Sequence, residues 1–267
     1  MMNDYSYWKK QGSTPLSAGI DTERPEQKQF AGRLLIVGGH SGAFFSVAQI
    51  AEKAISFGIG TVRTIMPDIL KSKIPAAPET IFAPSAASGS FGKTALPHLL
   101  AAADQADYIL IIGDLGKNAE TATVITEFLK MTALPTLITR DAIDLVMTDA
   151  PTWITKPNLT ILATLPQVQK LFRSVYYPKV VTLSMPMNQL VETLHKFTLS
   201  YPPAIVTHHQ NQIVLASQGD ITTTMLSDTS YSPITLWSGA LAARIAQLQI
   251  WNPTNRTAAT ATALVAK

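Results

Sequence analysis

The sequence of 267 residues contains no cysteine, which excludes both a disulfide framework and a thiolate metal site. Charged residues make up only 15% of the chain, the formal net charge is +3, and the lysines and arginines are scattered without a basic run. This pattern argues against a nucleic-acid partner. No apolar run approaches the roughly 20 residues that span a bilayer, and no signal peptide is visible. We therefore expect a cytoplasmic protein without a membrane partner.

The composition indicates a chain that can bury a large core. Hydrophobic residues account for 46% of the sequence, which excludes disorder as its overall description. Residues 1–29 are polar and interrupted by glycine and proline, and they predict an N-terminal extension that lies on the domain or loose from it. Residues 30–267 contain neither an internal repeat nor a linker. They predict one α/β domain.

One stretch, from Arg33 to Gly60, organises the rest of the prediction. The apolar run Leu34–Val37 is typical of a strand buried on both faces of a parallel sheet, and glycines follow it directly. Apolar residues then recur at helical spacing from Val47 to Ile55, and Gly58 ends the helix. Strand, glycine turn and helix in this order place backbone N–H groups and a positive helix end where a phosphate could bind. A plain tight turn is the alternative.

The same alternation continues along the chain and predicts a mainly parallel sheet in a three-layer α/β/α domain. The predicted strands are Thr61–Ile65, Thr80–Ala83, Tyr108–Ile112, Thr136–Ile138, Leu159–Ala163, Ala204–Val206 and Gln212–Ala216. The predicted helices are Leu96–Ala103, Ala119–Lys130, Gln167–Phe172, Met187–Leu199, Leu236–Gln249 and Ala258–Ala266.

A phosphate-loop pattern is present in relaxed form. Ala87 is followed, after four residues, by Gly92, Lys93 and Thr94, and the run ending near Asp114 imitates a magnesium-binding strand. The first glycine of the pattern is missing, and a proline falls in the first turns of the following helix. One interpretation is an ATPase that uses Lys93 and Thr94, and the other is a solvated Gly/Ser-rich loop.

Two other polar sets have simple structural interpretations. His208 and His209 begin the predicted turn His208–Asn211 between two strands. If they lay on a strand instead, they would point to opposite faces and could not act as one pair. Asp141 and Asp144 lie at a predicted helix start, where carboxylates stabilise the helix dipole without a catalytic role.

Four segments together resemble the ribokinase-like NAD(P)H-hydrate dehydratase family, also called YjeF C-terminal or carbohydrate-kinase-like proteins. The resemblance covers the chain from about Lys28 onward. Its segments are KQFAGRLLIVGG at Lys28–Gly39, AISFGIGTV at Ala54–Val62, IIGDLGK at Ile111–Lys117 and PTLITRDAI at Pro135–Ile143. In the last segment Asp141 keeps the second acid of the family motif, whereas Thr139 stands where the first would be.

The resemblance implies a ribokinase-like fold and a lyase that uses ADP or ATP, with Mg²⁺ as a candidate companion ion, to drive loss of water from hydrated NADH or NADPH. It implies nucleotide-binding positions at Thr207, Ser238 and Gly239. It implies substrate-binding positions at Gly39, Gly42, Gly113, Gly116 and Asp141. The expected partner is a nucleotide or dinucleotide, and a homo-oligomer is left open.

The sequence departs from the family where the reaction needs it. The family's G-T-G-D turn, whose aspartate takes the proton of the substrate hydroxyl, corresponds here to Trp237-Ser238-Gly239-Ala240. Ala240 has no proton acceptor, and Trp237 brings bulk to the phosphate turn. Three further family motifs are replaced, by Ala163–Val168, by Thr207-His208 and by Gly42–Phe45. We therefore expect a pseudoenzyme. The alternatives are the ATPase and a non-catalytic regulatory or assembly subunit.

Overall fold

The computed structural model describes residues 5–20, 24–75, 77–226 and 239–265, and these residues form a sheet of ten strands. The strands are β1 (Trp8–Gln11), β2 (Arg33–Gly38), β3 (Thr61–Pro67), β4 (Thr80–Ala83), β5 (Tyr108–Gly113), β6 (Thr136–Thr139), β7 (Leu159–Leu162), β8 (Ala204–His209), β9 (Gln212–Ser217) and β10 (Asp220–Met225). Their order across the sheet is β1-β10-β9-β8-β7-β6-β5-β2-β3-β4. All neighbours are parallel except the pairs that β9 makes with β8 and β10.

Helices cover both faces of the sheet, as the sequence predicts. They are α1 (Phe45–Ser56), α2 (Leu96–Ala103), α3 (Ala119–Met131), α4 (Asp141–Val146), α5 (Ala150–Trp153), α6 (Leu165–Ser174), α7 (Met187–Ser200), α8 (Ala240–Trp251) and α9 (Arg256–Ala263). Helices α2 to α7 pack on one face, and α1, α8 and α9 pack on the other, so the core consists of two separate apolar clusters. No helix among the described residues has the length and apolar character to cross a bilayer.

The central strands are buried for the reason that the sequence suggests. Every residue of β5 is buried, and in β2 only Arg33 is exposed, because helices shield both faces of these strands. Apolar residues of β2 alternate between the two clusters, with Leu35 in one and Leu34 in the other. The predicted buried strands and the mainly parallel sheet are confirmed. One residue of α1 departs from the predicted apolar pattern, since Ile55 is 57% exposed.

The sequence prediction missed the two strands at one edge of the sheet. β1 lies within the predicted N-terminal extension and pairs in parallel with β10, whose sequence DITTTM has little apolar character. The indole N–H of Trp8 donates to the Thr223 hydroxyl, over 3.0 Å. The side-chain amide of Gln11 is buried and donates to the Thr224 hydroxyl at 3.0 Å and to the Ala261 carbonyl at 2.7 Å. These bonds fasten the amino-terminal segment to the sheet and to α9.

We predict that Gln11→Ala lowers the free energy of unfolding by about 1 to 3 kcal/mol, because it removes the hydrogen bonds that the buried Gln11 amide donates to Thr224 and Ala261 and accepts from the Leu16 N–H. Urea unfolding of the purified variant measures the change. Lys9→Ala is the matched control in the same strand, since the Lys9 side chain is 59% exposed and should contribute less than about 0.5 kcal/mol. Equal effects of the two changes would show that Gln11 does not fasten β1.

A candidate site at the carboxyl edge of the sheet

The turns after β2 and β5 touch each other through glycines. The N–H of Gly39 donates to the carbonyl of Gly113 across 3.2 Å. A Cβ atom added to Gly38 would lie 2.7 Å from that same carbonyl oxygen, so a side chain at this position would push the two strand ends apart. This close approach brings the predicted Gly39–Gly42 and Gly113–Gly116 turns together, at the edge where ligands bind in parallel sheets.

Asp141, the first residue of α4, joins the same cluster. Its Oδ1 accepts a hydrogen bond from the Asp114 N–H at 3.0 Å. A Cβ on Gly113 would lie 2.1 Å from that oxygen, and Gly113 has a φ of +89°, so only glycine fits between the two aspartates. One carboxylate oxygen of Asp141 therefore already has a structural role. The predicted residues Gly39, Gly113 and Asp141 do lie in one place.

Asp114 is the most heavily engaged acid of this edge. Its carboxylate accepts a hydrogen bond from the Ser46 hydroxyl in the first turn of α1. It also forms an ion pair with Arg140, whose Nη2 lies 3.0 Å from Asp114 Oδ1. The side chains of Asp114 and Arg140 are 14% and 25% exposed, so the pair is mostly withdrawn from water but still reaches the surface. Neither Arg140 nor Ser46 was identified as a site residue from the sequence.

The loop between β4 and α2 forms a wall beside these turns. The N–H of Ser41 donates to the carbonyl of Gly89 at 2.9 Å, and the Asn118 side chain donates to the Ser88 hydroxyl. Gly116 lies against Ser90, since an added Cβ there would come within 2.5 Å of the Ser90 hydroxyl. The Gly/Ser-rich segment thus packs on the turns after β2 and β5.

The structure argues against the phosphate-loop interpretation of this segment, because backbone N–H groups that a phosphate would need are already paired. The N–H of Lys93 donates to the Glu120 carboxylate at 2.7 Å, and the N–H of Gly92 donates to the Pro84 carbonyl at 2.9 Å. A carboxylate thus occupies a place where a phosphate would have to bind. Lys93 and Thr94 are exposed, and they lie in a short 3₁₀ turn before α2. Asp114 pairs with Arg140 instead of facing this loop.

Helix α8 begins close to the same edge. Gly239 precedes it with a φ of +89°, and a Cβ there would lie 2.2 Å from Ile50 Cδ1 of α1. Ile50 lies one helical turn after Ser46. The α1 residue that contacts the start of α8 and the α1 residue that binds the Asp114 carboxylate are therefore one turn apart. No side chain of the described residues caps α8, whose first residue, Ala240, is partly exposed. Ser238 and Trp237 lie outside the described residues.

The other predicted positions lie farther from the open part of the site. Thr207 is 1% exposed in β8, and its hydroxyl has no partner among the described residues, so its side chain does not reach a ligand in this conformation. The prediction that Thr207 is a nucleotide-binding position stays a prediction. Gly42 is exposed, and its N–H donates to His40 Nδ1 at 3.0 Å.

The two histidines of β8 point to opposite faces, as expected. The strand runs through both of them and turns at Gln210, whereas the sequence predicted a turn that includes them. His209 is buried, and its Nε2 lies 2.7 Å from the Met185 carbonyl. Burial, and secondarily the neighbouring His209, lowers the pKa of His208 below its ordinary value. They do not form a metal-binding pair.

A second polar group lies beside Asp141 on the same edge. Asp144 accepts hydrogen bonds from Lys170 at 2.6 Å and from the Gln167 side-chain amide at 2.7 Å. Gln167 also donates to the Arg140 carbonyl at 2.8 Å, which helps to fix the backbone of Arg140. Across the described part of the chain, no three histidine, aspartate or glutamate side chains are grouped to hold a metal ion.

An apolar groove of about 1070 Å³ lies away from this edge, between α1 and strands β3 and β4. Phe45 and Ile55 of α1 line it and are 70% and 57% exposed. Lys73 lines the groove and also donates to the Ser41 carbonyl at 2.7 Å, so one end of the groove adjoins the turn after β2.

Solved structures share this architecture although their sequences are distant. A ribokinase-like superfamily protein of Enterococcus faecalis aligns with a TM-score of 0.65 and 20% identity, over 96% of this chain and 85% of its own. The ADP/ATP-dependent NAD(P)H-hydrate dehydratase of Bacillus subtilis, crystallised with ATP and Mg²⁺, aligns with a TM-score of 0.60 and 14% identity, over 92% and 83%. A pyridoxal kinase of Bacillus subtilis in complex with ADP aligns with a TM-score of 0.52 and 13% identity, over 87% and 88%.

These likenesses establish that the fold is ribokinase-like, as the sequence resemblance implied. No protein-family model and no curated protein matches the sequence.

We predict that Gly113→Ala lowers the free energy of unfolding by at least about 2 kcal/mol, because it combines an unfavourable φ with a clash against Asp141. Thermal or urea unfolding measures the loss. Gly12→Ala is the matched control, since no atom lies within 4 Å of its added Cβ, and it should change stability by less than about 1 kcal/mol. A Gly113→Ala variant as stable as the Gly12→Ala variant would contradict the packing described above.

Proposed function

We propose that this protein is a divergent ribokinase-like protein that binds a nucleotide or dinucleotide at the carboxyl edge of its sheet, and that the dehydratase reaction of the family it resembles is lost. The observation that carries the proposal is that the touching glycine turns after β2 and β5 lie at the same edge of the sheet as the start of α8, for which no described side chain forms a cap. Free N–H groups at a helix N-terminus favour anions such as phosphate. The structurally similar proteins whose names include ATP or ADP support the choice of ligand.

The loss of the reaction is inferred from the acids of this edge. Ala240 is the first residue of α8, at the position where the family that this sequence resembles has its proton-accepting aspartate. Asp114 is held by Arg140 and Ser46, and Asp141 is held by the Asp114 N–H. Both carboxylates are thus engaged by other groups of the protein. The site therefore retains features that bind charge without a free base beside α8.

Mg²⁺ could accompany a bound nucleotide only with few protein ligands. Mg²⁺ in nucleotide sites is commonly held by one or two carboxylates together with phosphate oxygens and water. At this edge Asp114 and Asp141 are the nearby carboxylates, and both accept hydrogen bonds within the protein. Any Mg²⁺ would therefore be held mainly by the phosphates of the ligand.

We predict that ADP or ATP binds the unmodified protein and that Lys93→Ala changes this affinity by no more than about twofold. Ala240→Trp should weaken the affinity about tenfold or more, because the indole would cover the start of α8. Calorimetric titration with ADP, ATP, NADH and NADPH measures these affinities. Circular dichroism and thermal unfolding must show that both variants are folded.

Loss of binding in Lys93→Ala with normal binding in Ala240→Trp would contradict the proposed location and return the ATPase interpretation. If none of the four ligands binds, the proposed function fails. The second candidate, a non-catalytic assembly subunit, then takes its place, since the exposed Phe45 and Ile55 of the apolar groove favour such a role.

We also predict that the purified protein gives no ADP- or ATP-dependent conversion of hydrated NADH to NADH, because no acid stands at position 240. Ala240→Asp alone should not restore the reaction, since a proton acceptor without its preorganised oxyanion turn lacks most of the needed stabilisation. NADH absorbance measures the conversion. Turnover by the unmodified protein that disappears in Asp141→Ala or His208→Ala would show that another residue has taken over the proton transfer.

A further inference from the structure

Two residues with unfavourable backbones face each other at the site. Asp114 has a φ of +54° and Arg140 has a φ of +58° with a ψ of −142°, both in regions that residues with side chains rarely adopt. Such residues cluster at binding and catalytic sites. They follow the adjacent strands β5 and β6, and their side chains meet in the 3.0 Å ion pair.

Two unpaired backbone donors lie close to Asp114 along the chain. The N–H groups of Gly116 and Lys117 have no acceptor among the described residues, and both residues are at least partly exposed. Gly116 has a φ of +72°, and a left-handed residue in such a loop turns successive N–H groups toward a common point, which is a known anion-binding arrangement. Arg140 forms its ion pair with Asp114, and Asp114 precedes Gly116 by two residues.

The ion pair with Asp114 engages one nitrogen of the Arg140 guanidinium. One nitrogen, Nη2, is the Arg140 donor engaged by a described residue, and it binds Asp114 Oδ1. A guanidinium carries five N–H donors in a planar fork that suits phosphate oxygens. The side chain is 25% exposed, which leaves part of the fork open to a ligand.

We propose that Arg140 and the N–H groups of Gly116 and Lys117 hold a phosphate group of the ligand, and that Asp114 holds the Arg140 side chain in position before the ligand arrives. This inference rests on the proposed function, because it names the part of the same site that recognises the ligand's charge. In this arrangement Asp114 opposes the incoming phosphate through its own negative charge. The two members of the ion pair therefore have opposite effects on binding.

This opposition gives a test that a merely structural ion pair would fail. We expect Arg140→Gln to weaken the binding of inorganic pyrophosphate and of ADP about tenfold or more, since it removes charge-assisted hydrogen bonds. We expect Asp114→Asn to strengthen the binding of both about threefold or more, because it removes a neighbouring negative charge. The asparagine oxygen can still accept from Arg140 Nη2, and its amide can donate to the Ser46 hydroxyl, so the side chain can keep its place. Calorimetric titration at a fixed ionic strength measures each affinity.

The exposed ion pair between Asp144 and Lys170 provides matched controls at the same edge. Its side chains are 40% and 58% exposed, and Asp144 lies in an ordinary helix. Asp144→Asn and Lys170→Gln should each change pyrophosphate affinity less than threefold in about 0.15 M salt, where exposed charges are screened beyond about 8 Å. Arg140→Lys is the second variant if Arg140→Gln does not fold, and it should lose part of the affinity, because it keeps the charge without the fork.

The outcomes separate this inference from the proposed function. If ADP binds Arg140→Gln as tightly as the unmodified protein, or if Arg140→Gln and Asp114→Asn shift affinity in the same direction, the inference is overturned while nucleotide binding stands. If pyrophosphate binds in an Arg140-dependent way but ADP binds no more tightly than pyrophosphate, the inference stands and the proposed nucleotide function fails. Binding of adenosine as tight as that of ADP would also overturn the role of Arg140, because adenosine carries no phosphate.

Discussion

The geometry of the carboxyl edge depends on a backbone contact between the ends of β2 and β5 that side chains would prevent. Gly39 donates to the Gly113 carbonyl, and the missing Cβ of Gly113 makes room for the Asp141 carboxylate. That carboxylate binds the N–H of Asp114, which helps to hold the Asp114 backbone in its left-handed conformation. The direction of the Asp114 side chain, and with it the ion pair to Arg140, follows from this contact. A glycine requirement in the backbone thus determines where charges lie.

Much of this architecture could be predicted from the sequence, because the signals are local and strong. Wholly apolar runs such as Leu34–Val37 predict doubly buried strands, and the helical periods between them predict the layers. The edge strand β1 and its neighbour β10 were missed, since polar and threonine-rich segments carry no such signal. Their pairing depends on contacts between residues more than 200 positions apart, such as Gln11 with Thr224. Local patterns contain no information on such contacts.

The site was predicted in part, and the limits have physical causes. The glycine turns and Asp141 were identified, because carboxyl ends of parallel strands converge whatever the side chains are. Lys93 matched a phosphate-loop pattern, but a pattern does not show whether the N–H groups it needs are already bonded, here to Glu120 and Pro84. Arg140 was overlooked although it directly precedes Asp141. Its importance arises from its backbone conformation and from Asp114, and neither can be read from neighbouring residues.

Binding of charge and transfer of a proton place different demands on the same edge. A phosphate needs fixed N–H donors and a cation. Rigid glycine turns and helix starts supply the donors without any change during binding. Proton transfer needs a carboxylate that can lie against the substrate hydroxyl and is not held by other groups of the protein. In this chain Asp114 and Asp141 are both bonded to neighbours, and position 240 carries a methyl group. The interactions that organise the edge for an anion are thus the ones that leave it without a base. Restoring a proton acceptor would therefore require a new acid beside α8.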